Sequence, residues 1–315
     1  MKLMIINLFL LFTLAVSCKK SGNTPTPAVT EPTWKKLTSG TISFLNYVYF
    51  TNATNGFVFG DRGAGIKTTN GGTNWVSFNT STTAALQCGT FFDSNIGFAA
   101  GNAVVIRTTD GGNTWTTAAT PPSGFIFGIG FSSATTGYAL NNSGQLFKTT
   151  DGGNNWSTVT SPSANARSIY FVNSTLGIIT GLNGTVLKTI DGGATWNSIA
   201  PPGTSSATIT TSTSTDASIF YLTDHVGKVY KSTDAGSTWT VETTGISTAL
   251  RDIKFVGQFG IAVGDNGIAI STSNGGTTWK NYTPVVTDLL NSVYILNSEK
   301  AFAVGWNGAL LGFSK

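Results

Sequence analysis

The chain has 315 residues, of which 40% are hydrophobic, 11% aromatic and only 10% charged, with a formal net charge of +4. So low a charge content excludes a disordered acidic or basic chain. From Trp34 onward 15 Lys plus Arg face 13 Asp plus Glu, a net of +2, so no nucleic-acid partner is expected.

Residues 1–17, MKLMIINLFLLFTLAVS, put one lysine ahead of a short apolar run that ends in small residues. That pattern reads as a secretion signal rather than a spanning helix. Ala15-Val16-Ser17-Cys18 resembles a bacterial lipobox, with Leu14 one place further out than in the commonest form. The resemblance implies cleavage before Cys18 and its lipidation, and more than one acyl chain is enough for stable anchoring. Residues 18–33 then form a tether, and Lys19 behind the anchor points to outer-membrane sorting by the usual lipoprotein rule. The expected product is an exported, membrane-anchored lipoprotein facing the periplasm or the outside. Cys88 lies in the apolar stretch LQCGTFF, where it reads as a small buried hydrophobe without a disulfide partner.

Beyond the tether the chain repeats itself. The phrases KTTNGGTNW, RTTDGGNTW, KTTDGGNNW, KTIDGGATW, KSTDAGSTW and STSNGGTTW end at Trp75, Trp115, Trp156, Trp196, Trp239 and Trp279. Trp34, in TWKKL, lies 41 residues before Trp75 and makes a seventh member. A period near 40 residues indicates a propeller or solenoid. Each unit opens with an alternating strand such as LNYVYF or LRDIKF and continues with a second such as GFVFG or GIAVG. A tight turn such as GDRG or GDNG follows, then a third strand that enters the repeated phrase, and a fourth strand begins at the Trp. Four short strands per unit make one blade of an all-β, seven-bladed propeller over residues 34–315. The last unit stops before any Trp phrase, so the N-terminal strand around Trp34 is expected to complete the C-terminal blade and remove an open edge.

Within the phrase, Asp or Asn before Gly is expected to form a two-residue hairpin with positive φ, its side chain accepting backbone N–H groups. The Trp ring is expected to be buried between blades. Asp110, Asp151, Asp191 and Asp234 fill the acidic position, and Asn70 and Asn274 replace them in two copies. That replacement suits a turn and not a metal ligand or a catalytic acid. These residues resemble the Asp-box, or BNR, repeat of sialidases, some glycoside hydrolases and the photosystem II assembly-factor family of seven-bladed propellers. The combined pattern GxAVGxxGxIxxTxxGGxTW most resembles the assembly-factor group, which implies a scaffold rather than an enzyme.

The resemblance also implies that ligands meet the face opposite the Asp-boxes. Strand openings there supply Asn46, Gln87, Phe127, Arg167, Arg251 and Asn291. Turns supply Asp61, Arg62, Asn102, Asn142, Asp224, His225, Asp265 and Trp306. Arg62, Arg167 and Arg251 are three arginines, the number of a sialidase triad, but the Arg-Ile-Pro start is missing. Glu31, Glu242 and Glu299 are misplaced for its Tyr–Glu pair. Arg107 shares the third-strand position of Lys67, Lys148, Lys188 and Lys231 and reads as solvated. Asp61, Asp224, Asp252 and Asp265 are the acids from which a glycosidase would draw its pair, and Asp61 and Asp265 also read as turn residues. Asp252 is expected to orient Arg251. The single His225 makes neither a His metal cluster nor a Ser–His–Asp triad. Trp306 is a candidate stacking anchor. The Ser/Thr-rich stretch 200–218 reads as the longest connection. The expectation is a non-enzymatic scaffold without metal or cofactor, contacting an envelope or membrane protein through Arg62, Arg167, Arg251 and Trp306. A glycan-binding or glycan-cleaving propeller using Trp306, Asp61 and Asp265 is the alternative.

Overall fold

The computed structural model describes residues 31–315, so the signal, the lipidation site Cys18 and most of the tether lie outside the described residues. In the first full unit the chain passes through Leu45–Phe50, Gly56–Gly60, Gly65–Thr68 and Val76–Ser77, each antiparallel to the one before. Seven such four-stranded sheets stand in a ring. The innermost strands alternate buried and half-buried side chains. The second strands, such as Gly56–Gly60 and Gly97–Gly101, are buried at every position because both of their faces meet a neighbouring blade. The outer strands are two or three residues long in six blades, which leaves little edge open to another chain.

The ring closes as its last unit requires. Thr33–Lys36 pairs antiparallel with Leu310–Ser314, with Trp34 opposite Phe313 and Lys36 opposite Leu311. Blades 7 and 1 then meet through Phe50 and Phe302, whose rings stack with centroids 4.9 Å apart.

The core is divided into wedges between blades. Each wedge holds the tryptophan of one blade against the second strand of the blade before it: Trp115 against Phe57 and Phe59, Trp156 against Phe98, and Trp34 against Ile261 and Val263. The Trp75 ring meets Phe50 and Phe302 nearly edge-on at 5.7 Å, a favoured geometry for aromatic pairs. Cys88 is buried in one of these wedges, where desolvation pushes its thiol well above the ordinary range.

Three local readings are corrected by the structure. The Asp-box is a loop of residues 69–75 between strands Gly65–Thr68 and Val76–Ser77, not a two-residue hairpin. Positive φ falls on the two residues after the Asp or Asn, at 66° and 82° for Gly71 and Gly72. Gly72 is required twice over, since a Cβ there would stand 2.0 Å from the Phe302 ring. Within the stretch 200–218, Ile209–Ser214 is the inner strand of blade 5, paired with Phe220–Asp224, so the connection is shorter than its composition suggests. The third-strand cations are not simply solvated: Lys188 and Lys231 donate to the Ala235 and Gly275 carbonyls in the next blade's Asp-box loop, at 2.6 and 2.7 Å.

Candidate functional site

Strand direction alternates within a blade, so inner-strand openings, second-to-third-strand turns and blade connections share one face. The Asp-box loops lie on the other. The backbone shows both sides: Asp61 N–H donates to Phe44 C=O on the first face, and Gly71 N–H to Thr54 C=O on the second, each at 2.8 Å.

The Asp-boxes are turns closed by their own side chains. Thr108 Oγ1 donates to Asp110 at 2.7 Å and accepts the Gly112 N–H at 2.9 Å. Asp110 in turn accepts the Thr114 N–H at 2.9 Å and its hydroxyl at 2.6 Å. Those bonds, the Thr114 hydroxyl first, hold the Asp110 carboxyl down at about 2 although it faces solvent. Asp151 and Asp234 are also lowered to about 2 by the same kind of bonds, and Asp191 is lowered further. Asn70 and Asn274 accept the equivalent N–H of Asn74 and Thr278 at 3.0 and 2.9 Å. The amide oxygen reproduces the part of the carboxylate that the turn uses.

The opposite face, around the channel mouth, gathers part of the expected set. Arg251 is held by Asp265 through two parallel bonds, Nε at 2.7 Å and Nη2 at 3.2 Å. Asp252 does not orient Arg251. It is buried, and its carboxylate accepts the Ile253 and Val293 N–H groups, the Ser292 hydroxyl and the Lys254 ammonium. The alternation of side chains along a strand sends neighbouring residues to opposite sides, which separates Asp252 from the arginine beside it. Asn291 donates to Asn46 at 3.1 Å, and Asn46 donates to Asp61 at 2.8 Å, a polar chain that joins blades 7 and 1. Two carboxylates of the glycosidase reading, Asp61 and Asp265, are thus engaged by neighbours, as is a third, Asp252.

Arg167 donates to the backbone carbonyls of Ala164 and Ala166 and meets no carboxylate among the described residues. Arg62 is exposed and makes no hydrogen bond or ion pair among the described residues. Its φ of 56° is left-handed, in the turn position that Asn266 and Asn307 occupy in blades 6 and 7. Asn tolerates this conformation, whereas an arginine there is uncommon. The three arginines belong to blades 1, 4 and 6, and no hydrogen bond joins them into a triad. Asp224 is fully buried and accepts the Val226 and Lys228 N–H groups and the Tyr230 hydroxyl. His225 Nδ1 accepts the Thr208 N–H. Both are structural.

Trp306 stacks on Phe44 at 4.8 Å with planes 11° apart and remains 42% exposed, so it packs locally and still presents a ring face. Ile42, Phe127, Val226 and Val285 are exposed on the same face. Of the eleven large apolar side chains exposed among the described residues, five therefore lie on this face. Sequence reading missed Ile42, Val226 and Val285 because they sit in connections and turns, where the repeat imposes no periodicity.

A family profile described as photosynthesis system II assembly factor YCF48 matches residues 26–122 and 115–257. No curated protein sequence matches the chain. Among solved structures, YCF48 bound to a D1 peptide is similar at 19% identity with a TM-score of 0.73, covering 90% of this chain and 97% of the other. YCF48 from Cyanidioschyzon merolae is similar at 20% identity with a TM-score of 0.73, covering 89% and 98%. The GH74 enzyme of Niastella koreensis shares the fold at 16% identity with a TM-score of 0.69, covering 88% of this chain and 53% of the enzyme.

Proposed function

The chain belongs to the photosynthesis system II assembly factor YCF48 family, and we propose that it is a protein-binding assembly scaffold that holds a segment of an envelope or membrane protein over its channel mouth. The observation that carries the proposal is the makeup of that face. Five exposed apolar side chains, including Trp306 and Phe127, share it with Arg167 and Arg62, which no carboxylate among the described residues neutralises. Aromatic residues and arginine contribute disproportionately to protein interfaces. The similarity to YCF48 bound to a D1 peptide supports a peptide-like partner. The family supports a scaffold role without the photosystem, because an export signal is not specific to photosynthesis.

In this reading Cys18 is lipidated and the protein is anchored in the outer membrane. The first strand of the propeller begins at Thr33, at the Asp-box end of blade 7. Affinity purification of the native lipoprotein tests the scheme. Arg167→Ala with Arg62→Ala is expected to release the co-purifying protein while Trp156→Phe, on the opposite side of the blades, retains it. Full retention by the double arginine variant overturns the assignment of this face.

A further inference from the structure

Below the mouth, the inner strands wall a channel whose side chains the proposed docking does not use. The fifth residue of these strands is Tyr49 in blade 1, Tyr170 in blade 4, Lys254 in blade 6 and Tyr294 in blade 7. Blades 2 and 3 have Thr90 and Gly130 there, neither of which adds a ring.

The rings converge. Tyr49 and Tyr294 stand 5.1 Å apart, edge to face. Tyr170 comes from the far side of the ring, yet the Tyr49 phenol is near enough to add to the desolvation that raises its ionisation. Tyr170 keeps 37% of its surface accessible while being desolvated. A side chain meets both conditions when the surface it exposes faces an enclosed space rather than bulk solvent.

The polar groups here are unbalanced in one direction. Asp252 is the carboxylate beside Lys254, and all four of its acceptor positions are filled, by Ile253 N–H, Lys254 Nζ, Ser292 Oγ and Val293 N–H. Lys254 also donates to the Ile253 carbonyl at 3.3 Å, which leaves one ammonium N–H unused. The hydroxyls of Tyr49, Tyr170 and Tyr294 have no hydrogen-bond partner among the described residues. All three phenols are pushed up, chiefly by burial, so they stay protonated donors. The channel thus offers these three O–H groups and one N–H, and no acceptor among the described residues receives them.

We propose that this part of the channel binds a small oxyanion, a phosphate or a carboxylate, through the Tyr49, Tyr170 and Tyr294 hydroxyls and the Lys254 ammonium. A group that carries only acceptors completes this donor set, and charge-assisted bonds to it are the strong kind. A cation would meet the ammonium instead. The site is independent of the arginines above it, so it stands or falls apart from the scaffold reading.

Isothermal titration of the propeller-bearing full chain with inorganic phosphate and, separately, with acetate tests the proposal. Saturable binding of either anion is expected, and which one binds identifies the ligand shape. Tyr49→Phe and Tyr170→Phe keep the rings and remove the donors; each is expected to weaken binding about tenfold without shifting the melting temperature. Lys36→Ala, an exposed cation on the outermost strand of blade 7, is expected to leave the affinity unchanged. The proposal is overturned if neither anion binds, if the double Phe variant binds as the parent does, or if Lys36→Ala abolishes binding.

Discussion

Trp34→Ala tests the idea that seven inter-blade wedges, and not the strand ladders alone, hold the ring closed. Trp34 is 6% exposed, its ring lies 5.3 Å from Phe313, and it packs on the blade 6 residues Ile261 and Val263. A tryptophan buries roughly 150–250 Å², which at about 25 cal/mol per Å² contributes about 4–6 kcal/mol. Allowing for a denatured chain that is already partly compact brings this to about 3–5 kcal/mol, the same as the range for Trp→Ala in cores. The indole N–H has no partner among the described residues, so its removal strands no polar group. The backbone pairs from Thr33–Ser314 to Lys36–Leu311 remain available, which isolates the wedge from the ladder. Urea unfolding at equilibrium, with parent and variant compared at a shared slope, measures the loss. Trp306→Ala, which removes a ring stacked on Phe44 but 42% exposed, serves as the contrast and is expected to cost well under half as much. A loss below about 1 kcal/mol for Trp34→Ala would refute the reasoning, because blade 7 would then be closed by hydrogen bonds without its wedge.

Acid should unfold the protein through its Asp-boxes. Asp110, Asp151 and Asp234 sit at about 2 in the folded state, below the ~3.9 of an unfolded aspartate. Their stabilisation is therefore complete above about pH 4 and lost as pH falls toward 2, and melting curves across that window are expected to show it. A melting temperature that is flat from pH 5 to pH 2 would contradict this. Gly72→Ala combines a φ of 82° with a Cβ 2.0 Å from the Phe302 ring and should destabilise by about 2–5 kcal/mol. Gly275→Ala, also left-handed but with its nearest contact 3.4 Å away, should cost only the conformational part, about 1–2 kcal/mol; equal losses would show that the ring contact does not matter. A panel of fluorogenic glycosides is expected to give no turnover. Hydrolysis that disappears in Asp265→Asn would establish the glycosidase alternative over the scaffold.

What the sequence disclosed and what it withheld follow from one property of a repeat protein. Every position that builds the blade recurs about every 40 residues, so Thr68, Asn70 and Trp75 are read with five more copies of themselves as controls. That is why the closing strand, the blade count and the structural role of the Asp-box were legible before any coordinates. The loop geometry was not, since DGG and NGG fit both a tight hairpin and the seven-residue turn that the backbone adopts. The two glycines reveal the need for positive φ without saying how many residues separate the strands.

The candidate sites lie where the copies disagree, and there the controls vanish. Arg251 and Asp252 are adjacent in sequence and were read as partners, but strand alternation turns one to the mouth and the other into the seam between blades 6 and 7. Arg251 finds Asp265 fourteen residues later because both lie at the same end of neighbouring strands in one blade. The channel tyrosines were harder still, since Tyr49, Tyr170 and Tyr294 look like ordinary half-buried strand residues until the ring brings blades 1, 4 and 7 around one axis. A site assembled from single, non-repeating substitutions on several blades is invisible to any reading that proceeds one blade at a time. For the same reason it is free to differ from relatives at 19–20% identity while the wedges between blades keep the same fold.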